Sequence, residues 1–255
     1  MHFVRKLSTL PLLAPLMRRT SLALLPSDTS KVLQVKEGLA KGILFELNPR
    51  WDTNLWRGGY EPEAEEIMQK YFKPGVTFYD VGGGVGFYTL AAARLGAKVF
   101  TIEPDPNNFA VIQRHAKMNH LENKMNLVQL AAFSHTGTLL MEPSESDRGY
   151  GHAHAQKIFG TDVTKCIEVR CTTLDDFARN NPKPDLVKID VEGCEADVFE
   201  GSEWLMKETR AAMICEVHSR ELGMRVEEIV RRRNYDVQWL HNENFPVRWI
   251  YVTAR

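Results

Sequence analysis

The run Asp80-Val-Gly-Gly-Gly-Val-Gly86 lies between a strand-like stretch, residues 76–81, and a helix-like stretch, residues 86–95. Glycines at 82, 84 and 86 let the backbone turn tightly and let a ligand lie against it with no Cβ in the way. The turn falls at the carboxyl end of a core strand, where open α/β sheets bind ligands. Spacing then narrows the ligand. The dinucleotide pattern G-x-G-x-x-G counted from Gly82 and Gly84 requires glycine at 87, where the chain has Phe87; counted from Gly84 and Gly86 it meets Thr89. A phosphate-binding P-loop needs a Lys-Ser/Thr pair after its last glycine, and none is there.

The acids beside the turn point the same way. Asp80 would repel a pyrophosphate but suits the ammonium group of a methionine moiety. Glu103 ends the next strand, where a carboxylate can accept both ribose hydroxyls of an adenosine. Asp-x-Gly-x-Gly-x-Gly followed by that acid favours S-adenosylmethionine over a nicotinamide dinucleotide.

Outward from the turn, strands and helices alternate. Strands are expected at residues 76–81, 98–103, 126–132, 185–190 and 211–217, with helices at 86–95, 107–119 and 195–206 and one after the last strand that runs to about 233. Alternation of this kind implies parallel βαβ units with helices on both faces of the sheet. Two strand-like runs, 137–141 and 166–171, interrupt it with a polar loop between them. Residues 235–240 and 247–253, joined by Asn242-Glu-Asn-Phe-Pro246, read as an antiparallel hairpin. Before the sheet, residues 31–35 and 42–47 read as short strands, a Trp- and Gly-rich loop follows, and 61–72 reads as a helix stopped by Pro74-Gly75. Arg231-Arg-Arg233 reads as a solvated helix end.

Length and composition set the frame. A chain of 255 residues suits one decorated α/β domain, divided here into a leader (1–30), a β/helical cap (31–73) and a ligand-binding domain (74–255). A net charge of -1 gives no global bias toward nucleic acid. The four cysteines, Cys166, Cys171, Cys194 and Cys215, have no C-x-x-C spacing and read as reduced thiols, which with the rest implies a cytoplasmic protein and no structural metal. The leader lacks acids up to Ser27 and carries Arg5, Lys6, Arg18 and Arg19. Three readings of it stay open: a loosely packed leader, an organelle-targeting peptide, or a surface that touches membrane through residues 1–25.

Three segments resemble the FkbM family of methyltransferases: Gly59-Tyr-Glu-Pro62, Asp80-Val-Gly-Gly-Gly-Val-Gly-Phe-Tyr-Thr-Leu90 and Asp185-Leu-Val-Lys-Ile-Asp-Val-Glu-Gly193. Ile102-Glu-Pro-Asp-Pro106 also fits, and the likeness runs over roughly residues 55–220. Gly83-Gly84 departs from the Ala-Asn usual in that family. The resemblance implies the α/β fold of class I methyltransferases: a Rossmann-like, mostly parallel seven-stranded sheet with an antiparallel C-terminal hairpin and a small N-terminal β extension. It also implies O-methylation of a hydroxyl, or a carboxyl, on a sugar, glycan or secondary metabolite. A nucleic-acid or protein methyltransferase on the same fold and a non-catalytic cofactor-binding module are the competing readings.

Candidate residues follow from strand ends and from the resemblance. The expected cofactor contacts are Tyr60, Glu61, Asp80, Gly82, Gly84, Gly86, Glu103, Pro104, Ala131 and Asp190. Methyl transfer is an in-line displacement, so alignment and removal of the acceptor proton are the levers. His218, Asp190 and Glu192 are the expected catalytic residues, as bases or substrate ligands, and Lys188 is expected to pair with Asp190 or Glu216. Histidines 152 and 154 are expected on a mobile loop. On this reading Glu103→Ala weakens cofactor binding, whereas His218→Ala spares it and lowers the rate. A cofactor titration showing equal loss of affinity in both variants would remove the role given to His218.

Overall fold

Why the chain folds around the turn is plainest in the buried strands that flank it. In the computed structural model, which describes residues 30–50, 52–144, 154–155, 163–240 and 248–255, every residue of β10 (Leu186–Ile189) is buried, as are Phe78 to Val81 of β3 (Thr77–Val81). Such apolar runs can be satisfied only inside a sheet covered on both faces. They sit at its centre. With β4 (Lys98–Ile102), β5 (Met125–Val128), β11 (Ala212–Val217), β12 (Tyr235–Leu240) and β13 (Arg248–Ala254) they form seven strands in the order β12-β13-β11-β10-β3-β4-β5. The first five in sequence run parallel, and β13 inserts antiparallel between β11 and β12. The expected class I sheet with its antiparallel end is thus present.

Helices follow the strands of this sheet along the chain. α3 (Phe87–Arg94) follows the glycine turn, and α4 (Pro106–Met118) starts on Asp105, whose side chain accepts from the Asn107 amide at 2.7 Å. The helix expected at 195–206 is two, α6 (Glu195–Glu200) and α7 (Glu203–Thr209), broken at Gly201-Ser202. A Cβ on Gly201 would lie 2.3 Å from the Phe133 carbonyl oxygen, so only glycine lets that backbone pass so close to the break. The Asp175 carboxylate, on α5 (Leu174–Arg179), accepts from the Trp204 and Leu205 amides and caps α7. Packed with α6 in the same core, α8 (Arg220–Arg232) ends at Arg233, which turns inward to donate to the Phe199 and Glu200 carbonyls instead of ending in solvent as the charge pattern suggested.

The strand expected at 126–132 also splits. After β5 the chain leaves the main sheet, and β6 (Ala131–Ala132) joins β9 (Ile167–Thr172), β7 (Gly137–Glu142) and β8 (His154–Ala155) in a second, four-stranded sheet. At the other end β1 (Lys31–Gln34) and β2 (Leu44–Leu47) form an antiparallel pair, followed by α1 (Thr53–Arg57), a helix where the Trp- and Gly-rich sequence suggests a loop, and α2 (Pro62–Tyr71). Phe45 of β2 packs on Phe87 of α3, so this N-terminal part shares the core of the main sheet. No helix among the described residues is long and apolar enough to cross a membrane. The leader, His152 and the 242–246 connection lie outside the described residues, and of residue 154 only the backbone is described.

Candidate active site

The site begins with strand register. β3 and β10 run parallel with Asp80 opposite Lys188, so a carboxyl and an ammonium group are forced together inside the sheet. Lys188 Nζ is buried and lies 3.5 Å from Asp80 Oδ1 and 3.1 Å from Asp190 Oδ2, and it donates to the Gly82 carbonyl at 2.9 Å. An unpaired buried ammonium would be strongly unfavourable. Burial pulls the Lys188 pKa down, but Asp190, Asp80 and Glu61 outweigh it and raise it above the ordinary lysine value. The lysine thus stays charged and pins the first carbonyl of the glycine turn. Asp80, in turn, accepts from the Thr89 hydroxyl at 2.5 Å.

Two glycines answer to distinct demands. Gly82 has φ +79°, and a Cβ there would sit 1.7 Å from the Asp190 carbonyl oxygen. Gly84 has φ +55° and nothing within 4 Å of its missing Cβ, leaving a smooth floor for a ligand. At Gly83 a Cβ would meet Thr101 at 2.6 Å and Ile112 at 2.9 Å, so the side chains beneath explain why alanine is absent at this position. The Gly84 amide donates to Glu103 Oε2 at 2.9 Å, and the Asp105 amide donates to its Oε1 at 3.0 Å. Burial nevertheless pushes the Glu103 carboxyl up to about 7. His115, buried and kept neutral by burial, ties this loop to the N-terminal strands: Nδ1 meets the Val85 carbonyl at 2.8 Å and Nε2 accepts from the Glu46 amide at 3.0 Å.

Above the turn lies a cavity of about 420 Å³. Glu103, Pro104 and Asn108 stand at one side, while Ala131, Phe133, Leu139 and Met141 of the second sheet form an apolar wall. Asp52, Leu55, Tyr60 and Glu61 close it from the N-terminal part, and Asp190, Val191 and Glu192 follow β10. Glu61 (φ +44°) and Glu192 (φ +53°) both adopt left-handed backbone, rare for such residues and concentrated at functional sites. Glu61 accepts from the Tyr88 hydroxyl at 2.9 Å; burial, and then Asp190, push its carboxyl up to about 7.

Behind Asp190 and Glu192 stands His218. Its Nδ1 is 2.8 Å from Glu195 Oε1, and its Nε2 is 3.1 Å from Glu192 Oε2 and 3.9 Å from Asp190 Oδ1. Burial would lower its pKa, but the hydrogen bonds to Glu192 and Glu195 prevail and push it up to about 11. Neither ring nitrogen is open to an acceptor proton in this arrangement. Glu216 is pushed up to about 9 by burial and by Asp190 and Glu61. Six carboxyl groups (Glu61, Asp80, Asp190, Glu192, Glu195 and Glu216) thus surround two cations, Lys188 and His218. Asp190 Oδ1 is buried with no hydrogen-bond partner. Such a pocket suits a positively charged ligand group.

Of the expected cofactor contacts, Tyr60, Glu61, Gly82, Gly84, Glu103, Pro104, Ala131 and Asp190 line this one cavity, together with Glu192. Asp80, Gly86 and His218 do not; Asp80 and His218 act through Lys188 and the neighbouring carboxylates. Lys188 pairs with Asp190 and Asp80 rather than Glu216. Asp52, Asn108, His115 and Glu195 were not singled out from sequence. Only Glu195, three residues from Glu192, carried a local signal, as an acid opening a helix.

The strand order and the glycine turn define a Rossmann-like methyltransferase. The model of the methyltransferase FkbM domain matches residues 80–237, and the chain belongs to that family. The open floor at Gly84, the braced Glu103 carboxylate and the acidic far end fit an S-adenosylmethionine cofactor. Over 209 residues it is 25% identical to methyltransferase sdnD of Sordaria araneosa, covering 69% of this chain and 80% of that protein. Over 64 residues it is 42% identical to the ribosomal protein L11 methyltransferase of Pelotomaculum thermopropionicum, spanning 25% of this chain and only 21% of that protein. The solved ribosomal protein L11 methylase of Lactobacillus delbrueckii subsp. bulgaricus shares the fold, with TM-score 0.50 and 14% identity over 81% of this chain and 79% of that one.

Two outcomes follow from this geometry. Gly82→Ala should destabilise the protein by more than about 2 kcal/mol in chemical denaturation, because both φ and the Asp190 carbonyl oppose a Cβ; a change within about 0.5 kcal/mol contradicts it. The Glu216 carboxyl has a raised pKa when folded, so its contribution is present below the ordinary value of 4.5 and is lost as pH rises through about 9. The melting temperature of Glu216→Gln should therefore gain on wild type steadily between pH 5 and pH 9. A pH-independent difference would place the Glu216 carboxyl at an ordinary pKa.

Proposed function

We propose that this enzyme methylates a hydroxyl, or a carboxyl, on a small molecule or glycan, with no nucleic acid as partner. The supporting observation is the cavity wall. It carries Asp52, Glu61, Glu103, Asp190 and Glu192 and, among the described residues, no lysine or arginine. Such a wall repels the phosphates of a nucleic acid and offers carboxylates to an acceptor O–H. When bound, S-adenosylmethionine supplies a methyl group on a sulfonium.

The chain's own residues then divide the work. Gly82 and Gly84 provide the floor, and Glu103 takes the ribose hydroxyls. Ala131, Phe133, Leu139 and Met141 exclude water from the apolar side. Asp190 and Glu192 hold the acceptor in line with the transferring methyl. Glu61, whose carboxyl is pushed up to about 7, would take the proton that the acceptor O–H gives up on methylation.

Incubation with methyl-labelled cofactor and extracts of the source cell tests this. Label should enter glycans or small molecules, alkali-stable if an ether and alkali-labile if an ester; label confined to RNA or protein, or no turnover, overturns it. The rate constant should rise with pH through about 7 in wild type, and Glu61→Gln should lower it by a factor of about 10² or more. A Glu61→Gln rate within a few-fold of wild type removes Glu61 as the base.

A further inference from the structure

The inner edge of the cavity has the layout of a cation site. Asp190, Glu192 and His218 each offer one ligand atom, and the three atoms lie within 4.8 Å of one another. Two metal ligands at about 2.1 Å that meet at a right angle stand about 3.0 Å apart. The separation of His218 Nε2 and Glu192 Oε2 is 3.1 Å, and Asp190 Oδ1 is 3.9 Å from the same nitrogen.

Two further features separate this cluster from an ordinary acidic patch. His218 Nδ1 is taken by Glu195, a wholly buried carboxylate, at 2.8 Å, and the Gly193 amide donates to the same oxygen at 3.0 Å. A carboxylate behind the far ring nitrogen is what fixes the tautomer and aim of a metal-binding histidine. Asp190 Oδ1, moreover, is buried, faces Nε2 and has no hydrogen-bond partner.

We propose that Asp190, Glu192 and His218 bind a divalent cation, with Glu195 as the positioning residue behind the histidine. Two carboxylate oxygens and one imidazole suit Mn²⁺, Fe²⁺ or Zn²⁺. The cation stands where the proton on Nε2 otherwise bridges His218 to Glu192. Asp190 and Glu192 both line the cavity, so a cation held by them reaches it and can draw an acceptor oxygen toward the methyl donor. That use rests on the O-methylation proposed above; the site itself rests only on these side chains.

Mn²⁺ alone, added to chelator-stripped full-length protein and followed by paramagnetic resonance, tests the site without any methyl transfer. One saturable Mn²⁺ per chain is expected, with spin-echo modulation from one coordinated ¹⁴N. His218→Gln should abolish the nitrogen modulation, and Glu192→Gln and Glu195→Gln should weaken binding about 10- to 100-fold. The exposed Glu66→Gln should leave binding unchanged, and thermal melts report whether each variant is folded. Absence of saturable binding by wild type overturns the proposal, as does bound Mn²⁺ without nitrogen modulation or binding indifferent to Glu192→Gln. The wild-type spectrum decides even if a variant fails to fold.

Discussion

One buried ammonium group organises this site. Lys188 lies opposite Asp80 because β10 and β3 pair in that register, and its three contacts reach the Gly82 carbonyl and two carboxylates. Removing a charge from water is tolerable only when the surroundings supply opposite charge and hydrogen bonds. Here they do, and the arrangement fixes at once the start of the glycine turn and the direction of Asp190. The close approach of the Asp190 carbonyl to Gly82 is the backbone counterpart of the same constraint. Floor and acidic wall are therefore one mechanical unit.

Beyond that unit, carboxylates outnumber cations. Burial keeps Glu61 and Glu103 near 7 and Glu216 near 9, while His218 is held charged between Glu192 and Glu195. A positive ligand group relieves such an excess, whether it is a sulfonium or a bound cation. Left-handed backbone at Glu61 and Glu192 brings carboxylates from two distant stretches of chain to the same cavity. The strain is local, and the packed strands on either side sustain it.

The turn and the acid that braces it were legible in the sequence because their chemistry is local. Glycine spacing and a strand-end carboxylate at 103 need no knowledge of distant residues. The same holds for the alternating strands, whose apolar runs mark a doubly covered sheet. What escaped depends on tertiary placement. The departure of β6 from the main sheet, the break at Gly201 and the inward turn of Arg233 are set by neighbouring backbone, not by propensity. Asp80 looked like a ligand contact from its position in the motif, yet register puts it under the turn against Lys188. His218 looked like a base, yet two acids from the loop and helix after β10 enclose it. No pattern along the chain discloses His115, which joins β2 to the glycine loop through two ring nitrogens.

On this reading the turn, Glu103 and the acidic wall form an adenosyl-sulfonium site. Calorimetry on ligand-stripped protein tests it most directly, with S-adenosylmethionine and its demethylated product set against a nicotinamide dinucleotide. One site per chain is expected for the two adenosyl compounds, with no heat from the dinucleotide. Tight binding of the dinucleotide, with silence from both adenosyl compounds, would contradict it.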